Sequence, residues 1–183
     1  MNKHITITGE LGSGKSTVAH LLEQRLGFPY FSTGEAQRLL ATQMNMTTLQ
    51  LNQLSMTDTS VDEKIDGKFK ELAKEKQPLV IDSRLAFHFL PNSFKVMLTV
   101  DPKVAAQRIM QAHRSTESTY TNLQDCITSN EKRREMEQNR FMKLYQVDIS
   151  DKKNFDLVID TTDKTPEEIA ESIILQYTQH GIN

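Results

Sequence analysis

The sequence predicts an α/β fold of three layers, α/β/α, built on a five-stranded parallel sheet. Five short segments of β-branched and apolar residues alternate with segments of helical period. The third of them, 79–82 (LVID), is apolar up to a terminal acid, as suits a strand covered on both faces. A glycine cluster joins the first strand to the first helix. Residues 3–8 (KHITIT) alternate as a strand and stop at Gly9. From Ser16 to Leu26 the residues Val18, Ala19, Leu21, Leu22 and Leu26 recur at helical spacing. Pro29–Ser32 reads as the second strand and 34–43 as a helix with Leu39 and Leu40 inward. The Met-, Thr- and Ser-rich stretch 44–60, with Met44, Met46 and Met56, shows no clear period and predicts a short helix between loops, its methionines packing beneath it.

Ser60-Val61-Asp62-Glu63 has the capping-box pattern, and Ile65, Phe69, Leu72 and Ala73 form one face of the helix behind it. Residues 94–100 (FKVMLTV) make the fourth strand, after which Asp101 caps and Pro102 opens a helix to about His113. A polar break (114–120) leads to a long helix from Thr121 to about Tyr145. Phe155–Ile159 is the fifth strand. Thr165-Pro166-Glu167-Glu168 caps the last helix, whose apolar face is Ile169, Ile173, Ile174 and Tyr177.

Composition excludes several classes. At 183 residues, 37% hydrophobic and 25% charged, the chain suits one domain with a proper core. No apolar run reaches the roughly 20 residues of a membrane span, and the start, MNKHITITG, does not read as a secretory leader. The single cysteine, Cys126, rules out an intrachain disulfide and a multi-cysteine zinc site, and the five histidines lack ligand spacing. The expectation is a soluble, monomeric protein of the cytoplasm. A net charge of −2 conceals two clusters. Three of the seven glycines fall within six residues, and five of the eight arginines lie between 108 and 140. Segment 103–153 carries ten basic and seven acidic residues, and 154–183 six acids and one lysine. No aromatic platform accompanies the basic segment, so nucleic acid is not an expected partner.

Gly9-Glu10-Leu11-Gly12-Ser13-Gly14-Lys15-Ser16 fits the pattern G-x-x-x-x-G-K-[ST] of a phosphate-binding P-loop, with a strand before it and an amphipathic helix after it. Glycines let the loop turn its N–H groups toward one centre, the helix N-terminus adds its dipole, and Lys15 reaches the β- and γ-phosphates. The Ser16 hydroxyl completes a Mg²⁺ site with phosphate oxygens and water. A tight turn needing glycine only for packing would not require Lys15-Ser16 at its exit. A nucleoside triphosphate is thus the expected ligand. Asp82 ends the third strand at the same sheet edge, where it serves the metal or its waters, or else is an exposed strand-end acid.

A second half-site follows from the arginines. Ser32-Thr33-Gly34-Glu35-Ala36-Gln37-Arg38 leaves the second strand and Asp82-Ser83-Arg84 the third. Arginines at strand carboxyl ends suit a second anionic substrate, because guanidinium is permanently charged and bidentate; as helix-surface charges they would instead be solvated. Arg133, Glu137 and Arg140 share a helix face, either reaching a phosphoryl group in transfer or forming a solvent-facing salt-bridged stripe. Arg108 either stacks on an adenine or is a solvated helix charge.

With these residues assembled, the chain resembles the nucleoside monophosphate kinases, and within them the cytidylate kinase-like family of archaeal type. The likeness runs through ITITGELGSGKST, STGEAQR, VIDSRLA, QRI, RREMEQNRF and FDLVIDT. It implies Mg²⁺-dependent transfer of the ATP γ-phosphoryl to CMP or dCMP. It also implies a core (1–32, 78–113, 134–183), an acceptor-binding insertion near 33–77 and a lid near 114–133. By position, the resemblance gives ATP to Gly9, Gly12, Ser13, Gly14, Lys15, Ser16, Thr17 and Arg108. Thr33, Arg38 and Arg84 fall to the acceptor, Lys15, Arg133 and Arg140 to catalysis, and Ser16 and Asp82 to the metal.

Family members often carry arginines where this chain has Ala105 and Ala112, with Arg114 displaced. They tend to read Arg-Glu at Arg133-Arg134 and Gly at Ser83. A cytosine reader must combine a carboxylate with a donor, and Asp62 and Asp66 are candidates, although a first-turn carboxylate also suits the helix dipole. The alternatives are a P-loop kinase of another small acceptor, such as another monophosphate, shikimate, gluconate or a coenzyme precursor, and a non-catalytic nucleotide-binding regulator.

Overall fold

Strand β1 (Ile5–Gly9) is buried along its whole length and forms the middle of the sheet. In the computed structural model, which describes residues 3–55, 60–112 and 120–180, β3 (Val80–Asp82) and β4 (Phe94–Thr99) flank it. β2 (Tyr30–Ser32) and β5 (Leu157–Asp160) are the edges, giving the order β2-β3-β1-β4-β5. Every pairing is parallel. Register aligns Ser32, Asp82 and Ile7 across the β2, β3 and β1 carboxyl ends. The P-loop and the turns carrying Thr33 and Arg84 therefore open on one edge.

Alternation along β1 divides the core. Ile5 and Ile7 pack with Val80, Phe94, Val96 and Leu98 beneath Val18, Ala19 and Leu22 of α1 (Lys15–Leu26) and Ile169, Ala170 and Ile173 of α8 (Pro166–His180). On the opposite face Leu79 and Ile81 meet Phe69 and Leu72 of α4 (Ser60–Leu72), Ala86 and Phe87 of α5 (Ala86–Phe89), and Phe141 of α7 (Leu123–Tyr145). Each such aliphatic or aromatic side chain removed from water contributes about 1.5–3 kcal/mol. The buried β1 threonines are satisfied: Thr6 Oγ1 lies 3.0 Å from Ser93 Oγ, and Thr8 Oγ1 donates to the Ser83 carbonyl at 3.1 Å. The second bond, with Ser83 N donating to Ile7 O at 3.1 Å, fixes the turn that presents Arg84.

Several boundaries differ from the sequence reading. In α2 (Thr33–Gln43) Leu39 points outward, 62% exposed, whereas Leu40 packs with buried Ala41 and Leu51 of α3 (Thr48–Leu54). Only one of two adjacent leucines can face a single neighbour, and α3 lies on the Ala41 side. Ala73 lies just beyond α4 and is exposed, as is Met44. The four-residue α5 went unread because it is too short to show a period. Asn122, not Thr121, caps α7, its Oδ1 accepting from Asp125 N at 2.9 Å. Asp101 caps α6 (Pro102–Gln111) through Lys103 N and Val104 N, as expected. Cys126 is a fully buried packing residue. Met56, His113, Arg114 and most of the expected polar break lie outside the described residues. Among the described residues no helix is long and apolar enough to cross a membrane.

Candidate active site

Two pockets meet at the P-loop. The first pocket is bounded by Gly12–Val18, Arg108, Ile109, Ala112 and Lys164. The second cleft lies over the carboxyl ends of β2 and β3, and Leu11, Lys15 and Ser16 belong to both. Thr33, Arg38, Asp62, Asp82, Arg84, Arg133 and Arg140 all line the second cleft. Gly9 is outside these linings, at the strand end, where a Cβ would sit 2.4 Å from Leu98 O.

The loop has a definite geometry. Gly12 (φ +76°) crosses so close to α6 that a Cβ would lie 2.6 Å from Ala105 O, and Gly14 (φ +85°) is the left-handed cap of α1. The contact is with the backbone of buried Ala105, so glycine at 12 is a packing requirement. The Glu10 carbonyl accepts from Lys15 Nζ at 2.6 Å and from Ser13 Oγ at 2.8 Å. Burial pulls the Lys15 ammonium down to about 8, with Arg84 and Arg133 adding to the effect while Asp82 and Glu137 oppose it. A polyphosphate against Lys15 would favour the charged form.

Arg108 is not a solvated charge. Its guanidinium donates to Gly12 O (3.4 Å), Thr161 Oγ1 (3.3 Å), Thr161 O (2.8 Å) and Thr162 O (3.2 Å), tying the loop crest to the segment between β5 and α8. Buried Thr161 completes the tie by donating to Thr99 O at 3.0 Å. Neither Thr161 nor Lys164 was singled out in the sequence, since no motif marks a residue that acts through backbone carbonyls.

The second cleft centres on Glu137 of α7. Its carboxylate lies 2.7 Å from Arg84 Nε, an ion pair without hydrogen-bond alignment at Oε2, and accepts from Arg133 Nε at 3.0 Å. The side chain is only 9% exposed. Burial pushes its pKa up, but Arg84, Arg133 and Arg140 outweigh that and hold it below the ordinary glutamate value. The stripe at 133, 137 and 140 thus faces inward, so the solvent-facing alternative fails. Arg140 pairs loosely with Asp62, Nη2 to Oδ1 at 3.9 Å, both side chains nearly buried. Arg140 Nε and Asp62 Oδ2 make no hydrogen bond, so each retains capacity for a partner. Burial pushes Asp62 up, and Arg140 counteracts it.

Arg38 sits 4.0 Å from Glu35 on α2. Asp66, the second expected base reader, is engaged instead by Tyr145, whose hydroxyl donates to Oδ1 at 3.0 Å and Oδ2 at 3.2 Å. Burial and Asp66 push the Tyr145 phenol up. With Ile65, Phe69 and Phe141, Tyr145 forms the apolar wall of the cleft; in the sequence Ile65 and Phe69 read only as the apolar face of a helix. As for metal, Ser16 and Asp82 supply hard oxygen donors, which suit Mg²⁺. Among the described residues no three or more His, Cys, Asp or Glu side chains gather into a cluster that could hold an ion.

A P-loop at the carboxyl edge of a five-stranded parallel sheet, joined to an arginine-lined second cleft, defines the class as a P-loop kinase fold. The Cytidylate kinase-like family matches residues 4–163, and the chain belongs to that family. It is 32% identical over 170 residues to the cytidylate kinase of Methanobrevibacter smithii, covering 93% of this chain and 95% of that one. It is 38% identical over 178 residues to an S-adenosylmethionine-dependent nucleotide dehydratase of Lacinutrix mariniflava, covering 97% of this chain but spanning only 36% of that protein. Among solved structures, shikimate kinase from Acinetobacter baumannii superposes with a TM-score of 0.64 at 14% identity, over 99% of this chain and 96% of that one.

The Glu137 contacts carry a stability prediction. Glu137→Gln leaves Arg84 and Arg133 without their anion and should lower unfolding free energy by about 3 kcal/mol at neutral pH. The carboxylate's contribution is complete above the ordinary glutamate pKa and is lost as pH falls through its lower folded value. The gap between the two proteins in urea titrations should therefore close in strong acid. A gap that is absent at neutral pH, or constant with pH, contradicts the assignment.

Proposed function

We propose that this chain transfers the γ-phosphoryl group of ATP to the phosphate of a nucleoside monophosphate, CMP or dCMP, giving the diphosphate and ADP. The observation supporting this most strongly is the wall shared by two pockets at Lys15 and Ser16, with Arg38, Arg84, Arg133 and Arg140 gathered on one side only. A neutral acceptor would not need four guanidiniums. The relatives named cytidylate kinase agree with it.

In this reading the P-loop N–H groups from Gly9 to Thr17 and Lys15 hold the ATP phosphates, and Arg108 lies beside the adenine. Thr33, Arg38 and Arg84 grip the acceptor phosphate, with α2–α4 as the acceptor-binding insertion (33–77) and 114–133 as the lid. An oxygen of the acceptor phosphate forms a bond to the γ-phosphorus as the bond to the β–γ bridging oxygen breaks, that oxygen leaving with ADP. No base is required, because the attacking oxygen is already ionised. Arg133 and Arg140 offset the charge spread over the transferring group. Bound Mg²⁺, held by Ser16 and directly or through water by Asp82, would neutralise phosphate charge. In the same reading Asp62 accepts from the cytosine amino group, which its Oδ2, buried without a hydrogen bond, supports.

The identity to part of a protein named nucleotide dehydratase favours a second reading, in which this chain phosphorylates a nucleotide that such an enzyme handles. ADP release measured across CMP, dCMP, UMP, AMP, GMP, shikimate and gluconate separates the readings. Turnover should be greatest with a cytidine monophosphate; turnover with none of the monophosphates would sink the proposal, and brisk turnover would exclude a regulator without catalysis. In the same assay Arg84→Ala should lower acceptor kcat/KM at least about tenfold, a loss of roughly 1.4 kcal/mol, with the KM for ATP nearly unchanged. Unaltered acceptor kinetics would remove Arg84 from the site.

A further inference from the structure

In the second cleft an acid stands among the cations. Glu137 lines it together with Lys15, Arg84 and Arg133, and its side chain is nearly buried. After burial, the groups that set the pKa of Lys15 are Asp82, Arg84, Glu137 and Arg133. Glu137 and its two arginines therefore act at close range on the lysine that both pockets share. A carboxylate in that place repels an incoming phosphate. Its manner of holding the arginines offsets that repulsion. Arg84 Nε lies 2.7 Å from Oε2, and Arg133 Nε donates to Oε1 at 3.0 Å. Nε is the root of the guanidinium fork. Among the described residues, neither arginine bonds a terminal nitrogen to another protein group. Arg84 comes from the turn after β3 and Arg133 from α7, and without a common anchor their long side chains would range over many rotamers. One carboxylate between the roots removes that freedom and leaves both sets of Nη atoms for a ligand.

We infer that Glu137 is a positioning residue for phosphoryl transfer, which sets Arg84 and Arg133 as one unit so that their terminal nitrogens close together on the acceptor phosphate and the group passing to it. This rests on the kinase reading. Guanidinium forks match phosphate oxygens only when correctly aimed. Two guanidiniums and one carboxylate leave a single net positive charge, so the unit attracts a phosphate less than the arginines alone would. What it gives up in attraction it returns as alignment, and alignment acts on kcat rather than on KM.

Steady-state ADP release, with the monophosphate that the unaltered protein turns over fastest, separates alignment from bracing. Glu137→Gln should lower kcat at least about tenfold, while the acceptor KM holds level or falls because the cleft gains positive charge. Glu137→Asp keeps the charge but ends one carbon short. It should also lose kcat, with acceptor KM within about twofold, and it decides the matter if the Gln protein does not fold. Arg133→Ala should lower kcat at least about tenfold in the unaltered protein but less than about threefold in the Glu137→Gln background, where the arginine is already out of place. A raised acceptor KM in Glu137→Gln would mean that the carboxylate only braces the cleft and would overturn the inference. So would a kcat unchanged in Glu137→Asp, or equal effects of Arg133→Ala in the two backgrounds. A protein that phosphorylates a monophosphate but gives any of these results keeps the kinase reading and loses this one; a protein that phosphorylates none loses both.

Discussion

The arrangement of the cleft depends on one buried carboxylate. Glu137 stands between Arg84, from the turn after β3, and Arg133, one helical turn earlier on α7. Three arginines drawn to one place repel one another, and within a partly desolvated cleft that repulsion is weakly screened. A single ionised Glu137 makes the cluster tolerable and also fixes its direction, because it draws the side chains from two different elements toward one point. The cost of burying the carboxylate is offset by the three guanidiniums, as the direction of its pKa shift shows. The sheet edge and α7 are thereby held in register, with Phe141 and Ile81 packing in the layer beneath.

From that constraint the division into two half-sites follows. The P-loop is positioned by β1 and by the close crossing of Gly12 over Ala105, and Arg108 binds its crest to the segment after β5. The second cleft is positioned by hydrogen bonds from β1 to the Ser83 turn and by the Glu137 cluster. Lys15 and Ser16 are where the two arrangements touch. Phosphoryl transfer needs little covalent participation from a protein and much alignment, and this molecule places its rigid contacts accordingly.

The features legible in the sequence were those carried by local spacing. The P-loop declares itself in eight residues, Asp101-Pro102 opens α6 where expected, and residues 133, 137 and 140 share a face because the helix period requires it. Features that depend on a partner remote along the chain were not legible. Nothing in the sequence says that Glu137 meets Arg84, that Tyr145 takes up Asp66, or that Arg108 satisfies carbonyls around Thr161. The inward placement given to Leu39 failed for a related reason: which side of α2 is covered is decided by α3, whose packing partner Leu51 lies in a stretch without readable period.

In the proposed reading two phosphate-bearing ligands meet end to end across Lys15. Calorimetric titration with a single molecule in which adenosine and cytidine are joined 5′ to 5′ through five phosphates tests it directly. One-to-one binding at least about a hundredfold tighter than ATP alone is expected, because the second half-site is filled without a second loss of translational freedom. Affinity no greater than that of ATP would contradict it.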